Sequence, residues 1–218
     1  MSSPIFRQSM GVAIPVGMYG AAFGAAGIAA GLSIWQTSAL SLLLFSGASQ
    51  FAIVGVIGAG GTVIAAILAG VLLGLRNGFY ALRMAPLLGV SGVKRVLASH
   101  ITIDESTLVA LAQDHEKVEQ VRKGFWFTGL GVFFFWNLFT IIGALGASLL
   151  DDPSKWGLDS AVPAAFLALL WPQLTSRKLQ VIALLAMAMA LALSPLLSPG
   201  LPIISVVIIA FIAGWNSR

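Results

Sequence analysis

Long apolar runs separated by short polar or glycine-rich turns recur along the whole chain, most of them near the length at which a helix crosses a bilayer. Seven segments stand out, at about residues 10–32, 35–58, 62–88, 125–149, 159–174, 179–197 and 202–216. The pattern predicts an all-α fold, a polytopic integral membrane helical bundle of about seven (six to eight) transmembrane segments. Residues 1–218 read as one transmembrane domain, with repeat halves at 1–113 and 125–218 joined by a polar connection.

In the first segment Gly17, Gly20, Gly24, Gly27 and Gly31 are spaced three, four, three, four, which puts them on one helical face. Such a face lets another backbone approach closely; its alternative use is a smooth wall along a translocation path. Pro15 is positioned to kink the start of this helix. The second segment is broken at its centre by Ser46, Gly47, Ser49 and Gln50. Lipid cannot hydrogen-bond to such groups, so they must face protein or a hydrated cavity, and transporters build substrate sites from helices interrupted in this way. Serines bonded back to carbonyls and a glycine at a helix contact are the structural alternative.

The third segment ends with Arg76, Asn77, Tyr80 and Arg83, of which 76, 80 and 83 share a face. Arg83 suits snorkelling at a helix end, whereas Arg76 lies deeper and calls for a carboxylate partner from substrate or protein. The connection at 91–124 offers two readings. Thr102 and Glu105 have the spacing of a capping box, or residues 97–113, carrying His100, Asp104 and Glu105, enter the membrane with a proton-handling acid. Asp104 and Glu105 are sequence neighbours and diverge on a helix, so they do not make an acid/base dyad.

The fourth segment holds Trp126, Trp136, Asn137 and Thr140, and the following loop Asp151, Asp152, Lys155 and Trp156. The fifth is short, bracketed by Pro163 and Pro172-Gln173, and is a second candidate for an interrupted helix. The last two read as lipid-facing or scaffold helices. A gapped match between 31–50 and 157–173 places Gln50 and Gln173 in corresponding positions, the pattern of an internal repeat built around interrupted helices. Basic residues leave two orientations open: seven spans with the N-terminus outside, or eight with Arg7 inside and Lys94 and Arg95 outside.

Composition agrees with this pattern. The chain is 58% hydrophobic and 9% charged, with a mean hydropathy of +0.97. Its net charge of +4 resides in loops and helix ends, so nucleic-acid binding is not expected. There is no cysteine, which excludes disulfides, thiolate metal sites and thiol catalysis. Arg7 ahead of an apolar run has the look of a signal peptide, but the run leads into further spans and reads as the first membrane helix. Gly58-Ala-Gly-Gly-Thr62 lacks the Gly-Lys-Ser/Thr ending of a P-loop, so no nucleotide site is encoded and no cofactor or metal is expected.

Gly17-Met-Tyr-Gly20, the Phe-Ser-Gly-Ala-Ser-Gln-Phe-Ala run ending at Ala52, Leu75-Arg-Asn-Gly-Phe-Tyr80 and Asp104-Glu105 together resemble the AzlC family. That family comprises the large subunits of bacterial branched-chain amino-acid exporters, and the resemblance covers most of the chain. It implies export of leucine, isoleucine, valine and similar amino acids across the bacterial cytoplasmic membrane, with a small AzlD-like membrane subunit as partner. Carried onto this chain, it points to Ser46, Gly47, Ser49 and Gln50, then Arg76 and Tyr80 for substrate, and to Asp104 and Glu105. The chain departs from the family at Gly74 and Asn77, where members commonly have Asn and His.

Without a nucleotide site, an ion gradient is the natural energy source. Asp104 and Glu105 suit protons, and sodium held by carbonyls freed near Gly47 would leave the same trace. Two other classes compete: an intramembrane serine protease using Ser49 with His100 or His115, and a passive channel or scaffold subunit. Gln follows Ser49 where a nucleophile turn would have Gly, and no oxyanion donors are evident.

Overall fold

The computed structural model describes residues 3–114, 116–150, 155 and 160–215; His115, Asp151, Asp152, Trp156, Gly157 and Arg218 lie outside them. Every regular element among the described residues is helical, and three helices are long and apolar enough to cross a membrane: α1 (Pro4–Ala29), α4 (Val63–Leu88) and α7 (Val118–Ser148). The chain is a helical membrane bundle. Ser3 caps α1 by accepting from the Phe6 amide at 3.2 Å, with Pro4 in the first turn where its missing N–H costs nothing. Thr62 caps α4 by accepting from the Ala65 amide at 3.2 Å. That helix stops at Gly89, whose φ of 59° is open to glycine with little strain.

The central contact is between α1 and α7. Gly17 faces Phe135 and Trp136, Gly20 faces the Trp136 carbonyl, and Gly24 faces the Thr140 carbonyl, so the partners climb together along both helices. The two helices are therefore parallel. Gly143 returns the approach from α7 onto Ala21, and in each case a side chain would collide with backbone. Gly27 belongs to the same face but meets Thr37, 2.5 Å from where a Cβ would sit. Gly31 does not share this packing: α1 has already ended, and Gly31 takes φ 86° in an open turn.

The second segment is split, into α2 (Ile34–Leu43) and α3 (Gly47–Gly58). Its halves do not continue in one direction. Both α2 and α3 have their outer ends beside the end of α1: Thr37 packs on Gly27, and the Cβ position of Gly58 lies 3.2 Å from Ala30. Ser33 and Gln36 close a reciprocal capping box at the start of α2, with bonds of 3.1 and 2.8 Å. A stretch expected to span the bilayer thus forms a re-entrant hairpin with its tip at residues 44–46. With 10 and 12 residues, its arms reach about 15–18 Å, roughly half the hydrocarbon core.

A second hairpin enters from the opposite end. It consists of α5 (Gly92–His100) and α6 (Asp104–Leu111), with its tip at 101–103. Both its outer ends lie beside the start of α7, Gly89 against Arg122 and Gln113 against Gly124, while Ile101 rises to Gly129. Residues 97–113 therefore dip into the bundle and return. Between the parallel α1 and α7 only α4 crosses, as two crossings of one sense require.

This arrangement gathers charge at one end. The start of α1, the end of α4, both ends of the second hairpin and the start of α7 carry Arg7, Arg83, Lys94, Arg95, Lys117, Arg122 and Lys123. Bonds tie these ends together: Arg122 Nε donates to the Leu87 carbonyl at 3.0 Å, and Gln113 donates to Gln8 at 3.0 Å. The two turns at the other end, 30–33 and 59–62, are uncharged.

Beyond α7, α8 (Ala161–Leu170) packs on α1 and α3 and ends in a short 3-10 turn, Trp171–Gln173. Then α9 (Arg177–Leu193), α10 (Leu201–Ser205) and α11 (Val207–Trp215) follow, with large apolar side chains such as Leu184, Leu191 and Phe211 turned outward, as lipid favours.

Candidate functional site

The tip of the first hairpin is built around an amide. Ending α2 at membrane depth frees carbonyls that lipid cannot satisfy. Gln50 Nε2 donates to the Leu44 carbonyl at 2.6 Å and, less closely, to the Ser41 carbonyl at 3.4 Å. Its Oε1 accepts from Trp136 Nε1 at 2.8 Å. Gln50 is fully buried, and its amide closes the hairpin and fastens it to α7. Gly47 lies against the same indole, whose ring would be 2.9 Å from a Cβ at that position. Phe23 and Phe51 pack around Trp136 with centroid distances of 6.3 and 6.4 Å.

Ser46 and Ser49, both buried, share a hydrogen bond of 3.1 Å. Ser46 leaves the start of α3 without a side-chain cap. Gln50 N bonds to the Ser46 carbonyl at 2.9 Å, and the amides ahead of it in α3 have no acceptor within the helix. Ser49 Oγ lies 3.3 Å from the Cβ position of Gly74 on α4. One turn further along that face is Asn77, whose Oδ1 is buried without a hydrogen-bond partner among the described residues.

The second tip is closed differently from the expected capping box. Thr102 Oγ1 donates back to the Ala98 carbonyl at 2.6 Å. Ser106 accepts from the Ile103 amide at 3.0 Å and donates to the Ile101 carbonyl at 2.8 Å, taking the place assigned to Thr102 and Glu105. The reason is steric economy: Ser106 lies within the turn and reaches both groups, whereas Thr102 already bonds to α5. Asp104 then opens α6, where a carboxylate is favoured by the helix dipole.

The two tips meet. His100 Nε2 is 2.9 Å from the Leu42 carbonyl, and the Phe45 ring lies 6.1 Å from the imidazole and 5.0 Å from Phe133, centroid to centroid. Beside this contact Arg76 Nη1 pairs with Asp104 Oδ2 at 2.8 Å. It is a single-point pair, leaving Arg76 Nε and Asp104 Oδ1 buried without hydrogen-bond partners among the described residues. Arg76 is residue 14 of the 26 in α4, near mid-helix, and its side chain keeps 42% exposure against 24% for Asp104.

Ser46, Gly47, Ser49, Arg76 and Asp104 therefore gather around the meeting tips, with Tyr80 one helical turn below Arg76 and Glu105 next to Asp104. Gln173 is exposed at the end of α8 and makes no hydrogen bond with them. Trp136, His100 and Asn77 belong to the site as well. The sequence had marked His100 within 97–113 and Asn77 as a departure beside Arg76, whereas Trp136 was read with the other aromatics of its segment as interfacial, although its place in the middle of an apolar helix was a signal against that. Ser49 bonds to Ser46 and His100 to Leu42, so the pair that a serine protease would need is not assembled. No cluster of three His, Asp or Glu residues suited to a metal occurs among the described residues.

A family model described as "AzlC protein" matches residues 11–150, a range that contains both hairpins, α4, α7 and all of α1 except its first seven residues. No curated protein and no solved structure matches the chain.

Proposed function

The chain belongs to the AzlC family, which is associated with branched-chain amino-acid transport, and on that premise we propose that it is a secondary transporter subunit exporting branched-chain and related apolar amino acids. The observation that carries the reading is the Arg76–Asp104 pair beside the two meeting tips. Its charges match those of a zwitterion. An amino-acid carboxylate takes Arg76 and the free amides at the start of α3, while its ammonium takes Asp104, so one ion pair is exchanged for two. The apolar side chain is left to the aromatic and aliphatic surroundings of Phe45 and Ile103.

Asp104 and Glu105 are the proton-coupling candidates of this reading, because carboxylates carried into a membrane bundle mark ion and proton paths. A small AzlD-like membrane subunit is the proposed partner. The bacterial cytoplasmic membrane is the proposed location, and the positive-inside rule puts the basic end, with the N-terminus, in the cytoplasm.

The test is accumulation of leucine and valine in cells fed branched-chain dipeptides, with and without the gene pair. Lower internal levels in cells that carry it are expected. Equal efflux in both would refute export, and export indifferent to any ion gradient would favour the passive channel.

A further inference from the structure

The two hairpins are related in a way that no single segment reveals. A long helix precedes each of them, α1 with 26 residues and α4 with 26. Short arms follow, of 10 and 12 residues in one hairpin and 9 and 8 in the other. Because α4 runs opposite to α1, the second unit is inverted relative to the first. Its hairpin enters from the basic end and the other from the uncharged end. Corresponding positions carry corresponding tasks: a serine in the first turn after each break, Ser49 and Ser106, is bonded within its own tip.

We infer that these hairpins are the two gates of one path, α2–α3 closing it from the uncharged side and α5–α6 from the basic side, with His100 latching them through the Leu42 carbonyl. The inference rests on the transport reading. It follows from where the hairpins stop. Each arm reaches only about half the hydrocarbon thickness, so neither tip crosses, and the barrier at mid-membrane is the contact of one tip with the other. Inverted units place equivalent tips on opposite sides of a shared site, so withdrawing either one exposes that site to one side alone. The Arg76–Asp104 pair lies where both withdrawals would reach it, since Asp104 begins the helix after the second break and Gly74, two residues before Arg76, touches Ser49 of the first.

The latch is a single bond with a backbone carbonyl, and the Phe45 and Phe133 rings flank the imidazole. Such a contact releases at small cost, as a gate must. The charged and titratable groups near it are Asp104 and Glu105 at the start of α6 and Arg76 and Tyr80 on α4.

The chain has no native cysteine, so single cysteines report cleanly on the full-length protein in membranes. Trp35→Cys and Ala59→Cys, at the outer ends of the first hairpin, are expected to react with an impermeant maleimide from the same side. Val93→Cys and Ala112→Cys, at the ends of the second, are expected to react from the other. Labelling of Trp35→Cys and Ala59→Cys from opposite sides would overturn the hairpins and the gates with them. For the gates themselves, Leu42→Cys, which keeps the latching carbonyl, with Leu97→Cys, one turn before His100, is joined by a short bis-methanethiosulfonate, and export of leucine is expected to fall to that of cells lacking the chain and to return with reductant. Full export by the joined pair would overturn the gating role. Absence of export by the unmodified chain would instead sink the transport reading, and the labelling pattern would still report the hairpins independently.

Discussion

Arg76 of α4 and Asp104 of α6 are joined by one short contact, Nη1 to Oδ2 at 2.8 Å, across two helices that are otherwise only lightly packed on each other. The pair therefore ties the membrane-crossing helix of the second unit to that unit's own hairpin. It also makes a specific prediction about charge. An unpaired arginine at bilayer depth costs about 2.5–3.5 kcal/mol on insertion scales. Asp104→Asn is thus expected to lower both export and membrane abundance, while Arg76→Gln with Asp104→Asn should recover abundance without recovering export. Immunoblots of the membrane fraction and leucine efflux separate the two effects.

Arg76→Lys keeps the charge but loses the planar guanidinium. Because the existing bond to Asp104 is single-point, a lysine can still pair with it, so insertion should be normal. Holding a carboxylate by two parallel bonds is what a lysine cannot do, and leucine export is expected to fall. Wild-type export by this variant would reassign Arg76 to a purely structural role.

Gln50→Ala is expected to act first on stability. It leaves the Leu44 carbonyl and Trp136 Nε1 unpaired inside the bundle, and each buried unsatisfied group costs about 1–3 kcal/mol. Trp136→Phe removes one of these bonds from the other side. Melting temperatures in detergent should show both losses, with the double variant less damaged than their sum because the two residues share a bond.

Gly20→Leu and Gly24→Leu would drive side chains into the Trp136 and Thr140 carbonyls, so α1 and α7 could not keep their register. Loss of folded protein in size-exclusion chromatography is the expected result. Gly11→Ala, with nothing within 4 Å of the new methyl group, is the control and should behave as wild type.

Asn77→Leu keeps the size of the side chain and removes an amide whose oxygen has no hydrogen-bond partner among the described residues. Folding should therefore be unchanged or improved. If Asn77 faces the substrate through the gap between Ser49 and Arg76, export is expected to weaken, and competition among leucine, valine and a smaller amino acid would show whether selectivity moves with it.

What the sequence determined by itself was everything that depends on local chemistry and on lipid as a solvent. Apolar run length identified α1, α4 and α7 because an unpaired peptide group in hydrocarbon is too costly for any other structure. The polar residues around Gly47 located the helix break, since a serine and glutamine cluster has no place in an unbroken lipid-facing helix. The spacing of Gly17, Gly20 and Gly24 marked a face, and Arg76 announced that it needed an acid.

The tertiary structure decided what those features meet, and in which direction the chain leaves each break. A broken helix and a hairpin have the same hydropathy, so residues 35–58 and 97–113 were indistinguishable from spans until Gly58 was seen beside Ala30 and Gln113 beside Gly124. Once both turn back, there is no longer a choice to make between Arg7 and Lys94 on the inside, because both lie at the same end. The sequence pattern paired 31–50 with 157–173, of which 157–159 lie outside the described residues, and it did not single out 92–111, which forms a second helix–break–helix. Little side-chain similarity is needed for that relation, because an inverted unit repeats helix lengths and a backbone turn while its neighbours, and hence its side chains, differ. Gln50 is the clearest instance: its type and setting were legible in the chain, but only the distance to Trp136 assigns its amide to the protein's own backbone and α7.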